Sequence, residues 1–347
     1  MPALAVGRPA DGADSKGRLG RTFVGHVVSH LEQEGGLPRD GDGLDRGELD
    51  EDYKTPPYPL ESREHRAEIA MAAKLRLEGK VAVITGGASG IGEAAARLFA
   101  AQGASIVIAD IQDTLGRSVA ASISPPGSCT YIHCDVREEL QVAAAVSCAI
   151  DTYGRIDVMF SNAGIVGSLA GVLDLELADL DAVLAVNLRG TAAAIKHAGR
   201  AMVAAGTGGS IICTASVASV QAGYGPSGYC VTKHAVHGLM KAAAGELGEK
   251  GVRVNCVSPF GVATPLMCGG VGLSPEDVEK VSCEAAVLKG AVLRTGDVAA
   301  AALFLASDES AFISGHNLVV DGATTVVGTG LGFALQNHFA RIRSGGA

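Results

Sequence analysis

From about residue 80 onward, apolar residues fall into short runs at regular intervals. Val81-Ala-Val-Ile-Thr85 is almost wholly apolar and is followed by glycines, which predicts a strand buried on both faces. Ser105–Ala109, Tyr131–Cys134, Ile156–Phe160, Ser210–Thr214, Val252–Cys256 and Asn317–Val320 repeat the pattern. Between them the sequence predicts helices over Gly92–Ala101, Leu115–Ala121, Glu138–Tyr153, Leu177–Ala205 and Tyr229–Lys250. Strands alternating with helices imply an α/β fold: one doubly wound parallel sheet of about seven strands, with helices on both faces. No internal repeat is evident.

The pattern is missing before Met71. That stretch is rich in glycine, proline and acid: Glu32, Glu34, Asp40, Asp42, Asp45, Glu48, Asp50, Glu51 and Asp52 face only Arg39 and Arg46. Such a segment buries too little apolar area to offset chain entropy, so residues 1–70 are expected to be mostly disordered, with a short helix allowed between Arg21 and Leu31. An organelle transit peptide is the alternative, but transit peptides are basic and poor in acids. Met71 is a second candidate start. The expected organisation is an extension over 1–70, one domain over 71–335 and a tail over 336–347.

Composition narrows the function. Net charge is −9 and the basic residues do not cluster, which argues against a nucleic-acid groove. Aromatics are only 4% and tryptophan is absent, so alanine and glycine do the packing. The eight cysteines form no C-x-x-C pair and no zinc-like spacing, so the reading is reduced, buried thiols and no metal. No run approaches the ~18 apolar residues of a membrane span. A cytoplasmic protein is expected, with the plastid as the lesser alternative.

Candidate chemistry comes next. Thr85-Gly86-Gly87-Ala88-Ser89-Gly90-Ile91-Gly92 lies between the first strand and the first helix, where glycines let the backbone approach a pyrophosphate at a helix N-terminus. Asp110 ends the second strand, placed to accept both ribose hydroxyls of adenosine, or else to cap a helix. Tyr229 and Lys233 are at i and i+4, so on a helix they share one face. An ammonium beside a phenol stabilises phenolate and would lower the Tyr229 pKa. Ser216 follows a strand end, and Asn187 sits inside a helix although asparagine forms helices poorly.

Together these residues resemble the short-chain dehydrogenase/reductase family, in its NAD-using form, over about 255 residues. The resemblance implies a Rossmann-type sheet. It implies cofactor contacts at Gly86, Ser89, Gly90, Ile91 and Gly92, and at Asp110 for the ribose. Asp135 and Val136 match a dipeptide that touches adenine. Ser161-Asn162-Ala163-Gly164 resembles the NNAG element, with serine replacing the first asparagine. Pro259–Thr264 resembles a PGxxxT segment whose Val262 and Thr264 would hold the nicotinamide, and Phe260 stands where glycine is usual, a departure that would narrow the pocket. Asn187, Ser216, Tyr229 and Lys233 fill the catalytic tetrad. Val254–Pro265, Leu288-Lys-Gly290 and Phe304–Glu309 are further similar to plant members that oxidise secondary alcohols on terpenoid, lignan or steroid-like rings.

What the resemblance implies is interconversion of a secondary alcohol and a ketone on a small hydrophobic metabolite, with NAD. Tyr229 would be the general base, Ser216 would hold the substrate oxygen, Lys233 would lower the Tyr229 pKa and bind the nicotinamide ribose, and Asn187 would hold a water leading to solvent. Substrate contacts are expected from Ile165–Val172, Ser219–Tyr224, Phe260 and Leu266–Lys289, the last as a lid. Tyr224 and Phe260 are candidate walls or packing within the lid. His197, His234 and His237, with no partner carboxylate evident, read as structural. Two rivals stay open: an NADPH-dependent ketoreductase, which usually carries a basic residue where Ala88, Ser89, Ile111 and Gln112 stand, and a dinucleotide-binding relative without turnover. Family likeness favours a homotetramer.

Overall fold

A computed structural model describes residues 75–327, which lie within one compact unit. The expected extension, the Arg21–Leu31 helix and the tail over 336–347 fall outside the described residues.

Seven parallel strands form one sheet in the order β3-β2-β1-β4-β5-β6-β7. They are β1 (Val81–Thr85), β2 (Ser105–Asp110), β3 (Cys129–His133), β4 (Val158–Ser161), β5 (Gly209–Thr214), β6 (Val252–Pro259) and β7 (Asn317–Val320). Val81 aligns with Ser105 across β1 and β2, and Ala82 aligns with Val158 across β1 and β4. Side chains alternate between faces along a strand, and both faces are covered, so β1 is buried at every position.

One core lies between the sheet and helices α3 (Glu139–Tyr153), α5 (Gly190–Ala205) and α6 (Ser227–Gly248). It interleaves Val83, Met159, Ile211 and Val254 with Val142, Ala194, Val236 and Met240. The other lies beneath α1 (Gly90–Ala101) and α9 (Thr295–Ala306), where Ile84, Ile108, Phe160 and Ile212 meet Phe99, Val298 and Leu305. Phe99 stacks on Phe160 with ring centroids 6.4 Å apart. Four shorter helices are α2 (Asp113–Ser122), α4 (Leu177–Leu184), α7 (Pro265–Val271) and α8 (Pro275–Ala285).

Two expectations need correction. The helix expected over Leu177–Ala205 is α4 (Leu177–Leu184), a π-helical turn (Ala185–Arg189) and α5 in succession. The apolar pattern runs through the turn unbroken, so periodicity gives no warning of it. The second is an omission: α9 was not expected, because Thr295–Ala306 is apolar around most of its circumference and shows no amphipathic stripe.

Candidate active site

The strand order reverses between β1 and β4, and the crevice beyond the carboxyl ends of these strands collects the candidate residues. The β1–α1 loop enters it first. Gly86 adopts φ +64°, and a Cβ there would lie 2.8 Å from the Ala163 Cα. A Cβ on Gly92 would collide with the Gly86 carbonyl. The two glycines thus let the loop close on itself and on the strand that follows. Ser89, the residue before α1, makes no side-chain cap, so the first N–H groups of the helix, at Gly90, Ile91 and Gly92, are left for an anion. This cradle fits a dinucleotide pyrophosphate.

Asp110 ends β2 and is buried. The Ala88 N–H donates to its Oδ2 at 3.0 Å and the Gln112 N–H to its Oδ1 at 2.9 Å. The carboxylate therefore ties the glycine loop to β2 as well as facing the crevice end. Beside it, the Tyr131 hydroxyl donates to the Asp110 carbonyl at 2.8 Å and to Asp113 Oδ1 at 2.7 Å. Those hydrogen bonds and His133 hold the Asp113 carboxyl below the usual carboxylate range. Asp135 follows β3, and Arg137 forks its carboxylate at 2.6 to 3.0 Å, which lowers its pKa. Val136 is buried against Gly190.

Ser161-Asn162-Ala163-Gly164 leaves β4 as a clamp on the loop. Asn162 Nδ2 donates to the carbonyls of Thr85 and Gly86 at 3.2 and 3.1 Å, and the N–H groups of Asn162 and Ala163 donate to Thr85 Oγ1. Gly164 is pressed by Asn187 Oδ1 and Lys233 Nζ, which a Cβ would meet at 3.2 and 3.6 Å. On the far side, Val262 and Thr264 are buried after β6. Thr264 Oγ1 caps α7 by accepting the Met267 N–H at 3.2 Å, and Gly90 packs on its side chain.

The four tetrad residues converge from three elements. Ser216 is buried just past β5 and accepts the Ala218 N–H at 3.1 Å. Tyr229 and Lys233 share one face of α6, with Nζ 5.4 Å from the phenol ring centroid. Asn187 lies in the π-helical turn, buried, and the turn aims it across the crevice. Its Oδ1 accepts the Ile165 N–H at 2.8 Å, and its Nδ2 donates to the Ile165 carbonyl at 2.9 Å and to Thr232 Oγ1 at 3.1 Å. Thr232 in turn donates to the Tyr229 carbonyl at 2.8 Å. Thr232 was missed from the sequence. As one hydroxyl inside a helical run it gives no signal until the fold sets Asn187 beside it.

The electrostatics correct one expectation. Lys233 was expected to lower the Tyr229 pKa. Burial instead pushes the phenol up to about 12, with the neighbouring Ser216 hydroxyl working in the opposite direction. Lys233 is buried, and loss of hydration pulls it down to about 8 while its ammonium donates to the Thr214 carbonyl at 2.8 Å. A second correction concerns His197, which has a carboxylate partner: its Nε2 lies 2.9 Å from Glu139 Oε1, an oxygen shared with Lys196 at 2.6 Å. The partner is one helix away and invisible in local spacing. His234 bonds the Cys230 carbonyl at 2.9 Å, and burial lowers the pKa of His237.

Over the crevice lie α7 and α8. Gly270 packs on Val166 and Gly261 on Ser282, so the two helices rest directly on the segments after β4 and β6. Tyr224 and Phe260 meet edge to face, centroids 5.8 Å apart at 81°. Among the described residues no helix is long and apolar enough to cross a membrane, and no group of three His, Cys, Asp or Glu side chains is placed to hold a metal.

Known proteins resemble this chain in sequence and in fold. Residues 86–325 match a family model described as enoyl-(acyl carrier protein) reductase. The chain is 55% identical over 252 residues to short-chain dehydrogenase reductase 3b of Arabidopsis thaliana, covering 73% of this chain and 98% of that protein. It is 51% identical over 260 residues to momilactone A synthase of Oryza sativa subsp. japonica, covering 74% and 94%. It is 51% identical over 257 residues to a (+)-cis,trans-nepetalactol synthase of Nepeta racemosa, covering 73% and 96%. Among solved structures, levodione reductase superposes with a TM-score of 0.67 at 30% identity, over 73% of this chain and all of the other.

Proposed function

The chain belongs to the short-chain dehydrogenase/reductase family, an oxidoreductase family with relatives in plant secondary metabolism, and we propose that it interconverts a secondary alcohol and a ketone on a small hydrophobic metabolite, using NAD. The observation that carries this is the convergence of Ser216, Tyr229, Lys233 and Asn187 at the crevice end of β5, α6 and the π-helical turn. The bound dinucleotide supplies the hydride acceptor or donor.

The chain's own groups do the rest. Tyr229 takes the proton of the substrate hydroxyl in oxidation and returns it in reduction. Ser216 hydrogen-bonds the same oxygen and holds it as charge develops. Lys233, held by the Thr214 carbonyl, sets its charge beside the phenol. The Asn187 side chain bonds Ile165 and Thr232, and its main-chain carbonyl accepts the Thr191 hydroxyl at 2.8 Å, so its part is to hold Ile165 against α6. Asp110 favours NAD, since a 2′-phosphate would bring like charge to a buried carboxylate. Asp135, Val136, Val262 and Thr264 are assigned to the adenine and nicotinamide ends.

The substrate reading rests on the surface around this polar centre. Among the described residues, ten of the twenty exposed large apolar side chains lie on segments 165–177, 220 and 266–288. A substrate with one reacting hydroxyl on an apolar body suits that lining. The relatives bear names of dehydrogenase reductases and of synthases at similar identity, so identity alone does not select the substrate. We further propose a homotetramer in the cytoplasm. An open groove of about 630 Å³ between α5 and α6, lined by Ile195, Val203, Leu239 and Leu247 among others, supports a second copy there.

The test is absorbance at 340 nm with NAD and a panel of cyclic secondary alcohols, on the wild type and Tyr229→Phe. The substitution should cut turnover by at least ~10²-fold and leave dinucleotide binding nearly intact. Retained turnover would remove Tyr229 from the chemistry.

A further inference from the structure

Phe260 and Tyr224 come from separate segments: Phe260 directly follows β6, and Tyr224 sits in the stretch between Ser216 and α6. Each is anchored at a separate point on the segment at and after β7. The Phe260 N–H donates to the Val320 carbonyl at 3.1 Å, and the Tyr224 hydroxyl reaches the Thr324 carbonyl at 3.5 Å. The rings meet edge to face with centroids 5.8 Å apart. Neither is buried, so the pair is not simply core.

Its place relative to the chemistry is set by the next residue. Gly225 lies against the Tyr229 ring, where a Cβ would be 3.0 Å from Cδ1. The backbone next to Tyr224 is thus seated directly on the phenol ring. On the other flank, Gly261 abuts Ser282 of α8, and Leu288 donates its N–H to the Gly322 carbonyl at 3.0 Å. The residues that follow the pair in sequence, Gly225 and Gly261, thus touch Tyr229 and α8.

An edge-to-face pair presents a corner, one ring face at a steep angle to another ring's rim. Flat, rigid apolar bodies gain contact on both surfaces of such a corner, and aromatic contacts add to area burial. A flexible chain of equal size must also give up rotamer freedom to lie along it. We propose that Tyr224 and Phe260 form a specificity-determining corner that selects fused-ring alcohols and ketones over open-chain ones. This rests on the oxidoreductase reading of the tetrad above, and it adds the shape of the substrate and the two side chains that select it.

The test compares 2-decalol, a fused-ring secondary alcohol, with 2-decanol, an open-chain one of equal carbon count. The wild type should prefer 2-decalol in kcat/KM by at least ~10-fold, through KM. Phe260→Leu, which keeps apolar bulk but removes the ring, and Tyr224→Ala should each lose most of that preference, mainly through a higher KM for 2-decalol. Because one corner needs both rings, the double variant should lose little more than either single one. Tyr224→Phe keeps the ring and should keep the preference. Calorimetric binding of 2-decalone in the presence of NADH, on the same proteins, gives a readout independent of turnover and shows whether a variant is still folded. If the wild type turns over neither alcohol with NAD, the alcohol-oxidation reading falls, and the decalone affinities still decide the corner. Unchanged preference and unchanged decalone affinity in Phe260→Leu and Tyr224→Ala would overturn the proposal, as would strictly additive losses.

Discussion

The Lys233 ammonium donates to the Thr214 carbonyl at 2.8 Å, so the lysine of α6 is tied to the end of β5, two residues before Ser216. That bond fixes where the charge lies, and burial fixes when it is present. With Lys233 near 8 and Tyr229 near 12, the two groups titrate in the reverse of the order in which a base beside a cation is usually drawn.

A pH profile follows. On the proposed mechanism, oxidation needs ionised Tyr229 and charged Lys233. Below about pH 8 the lysine stays charged while the phenolate fraction rises tenfold per pH unit, so log kcat/KM should climb with a slope of about one. Above it, the loss of ammonium offsets the gain in phenolate and the profile should level. Reduction needs the protonated phenol and should fall only as Lys233 discharges. Steady-state kinetics in both directions from pH 6 to 10 would check this, and a flat oxidation profile below pH 8 would count against both assignments.

Cofactor choice depends on Asp110. Two like charges ~4 Å apart repel by ~4 kcal/mol at an effective dielectric of ~20, and half of that after screening still favours NAD ~30-fold. Asp110→Asn keeps an acceptor for the Ala88 N–H and removes the charge, but turns an NH2 toward the Gln112 N–H, so it should narrow the gap to NADP with less loss of NAD affinity than Asp110→Ala. Asp110→Ala also orphans that N–H, at about 1–3 kcal/mol, and should weaken both cofactors. The kcat/KM for each dinucleotide on the three proteins decides it; equal use of NADP by wild type would remove Asp110 from the selection.

Thr232 should prove a positioning residue. Thr232→Val strips the partner from Asn187 Nδ2, a buried donor, at a cost of about 1–3 kcal/mol. We expect a lower melting temperature and a roughly tenfold lower kcat at nearly unchanged KM for NAD, with Thr232→Ser restoring both. Wild-type kinetics in Thr232→Val would show that Asn187 needs no such hold.

Much of this was readable beforehand, and the failures have physical causes. β1 and β7 match the expected bounds because their apolar runs coincide with the paired residues. The third strand starts earlier than expected, at Cys129, because pairing with Ile106 recruits residues that carry no apolar signal. β6 runs on to Pro259, beyond the apolar run, because pairing with β7 carries it to Val320. Every glycine-loop and tetrad position came from local motif order. The π-helical turn, Thr232 and the Glu139 partner of His197 did not, because each depends on which distant segment the sheet brings alongside.

The acidic extension should be dispensable. Some 252 residues of this chain already span 98% of the Arabidopsis relative, and residues 1–70 offer little apolar area. A chain beginning at Met71 should keep its kcat/KM and melt within a degree or two of the full chain. A loss of more than about 4 °C would indicate a stabilising contact of order 1 kcal/mol or more and refute the expectation of a disordered segment.

The reversal of strand order between β1 and β4 has an evolutionary consequence. Asp110 and Asp135 hang from strands on one side of that seam, whereas Asn162, Ser216 and Thr264 hang from strands on the other. On the proposed assignments, the strands that read adenosine carry none of the tetrad, whereas the segments after β4 and β6 serve coenzyme and metabolite together: Asn162 holds the glycine loop and Gly90 packs on Thr264. A lineage that keeps its coenzyme would be free to reshape the stretches around Leu169, Tyr224 and α8, but not Asn162 or Thr264. Relatives near 50% identity that bear the names of different products are what such divergence would leave behind.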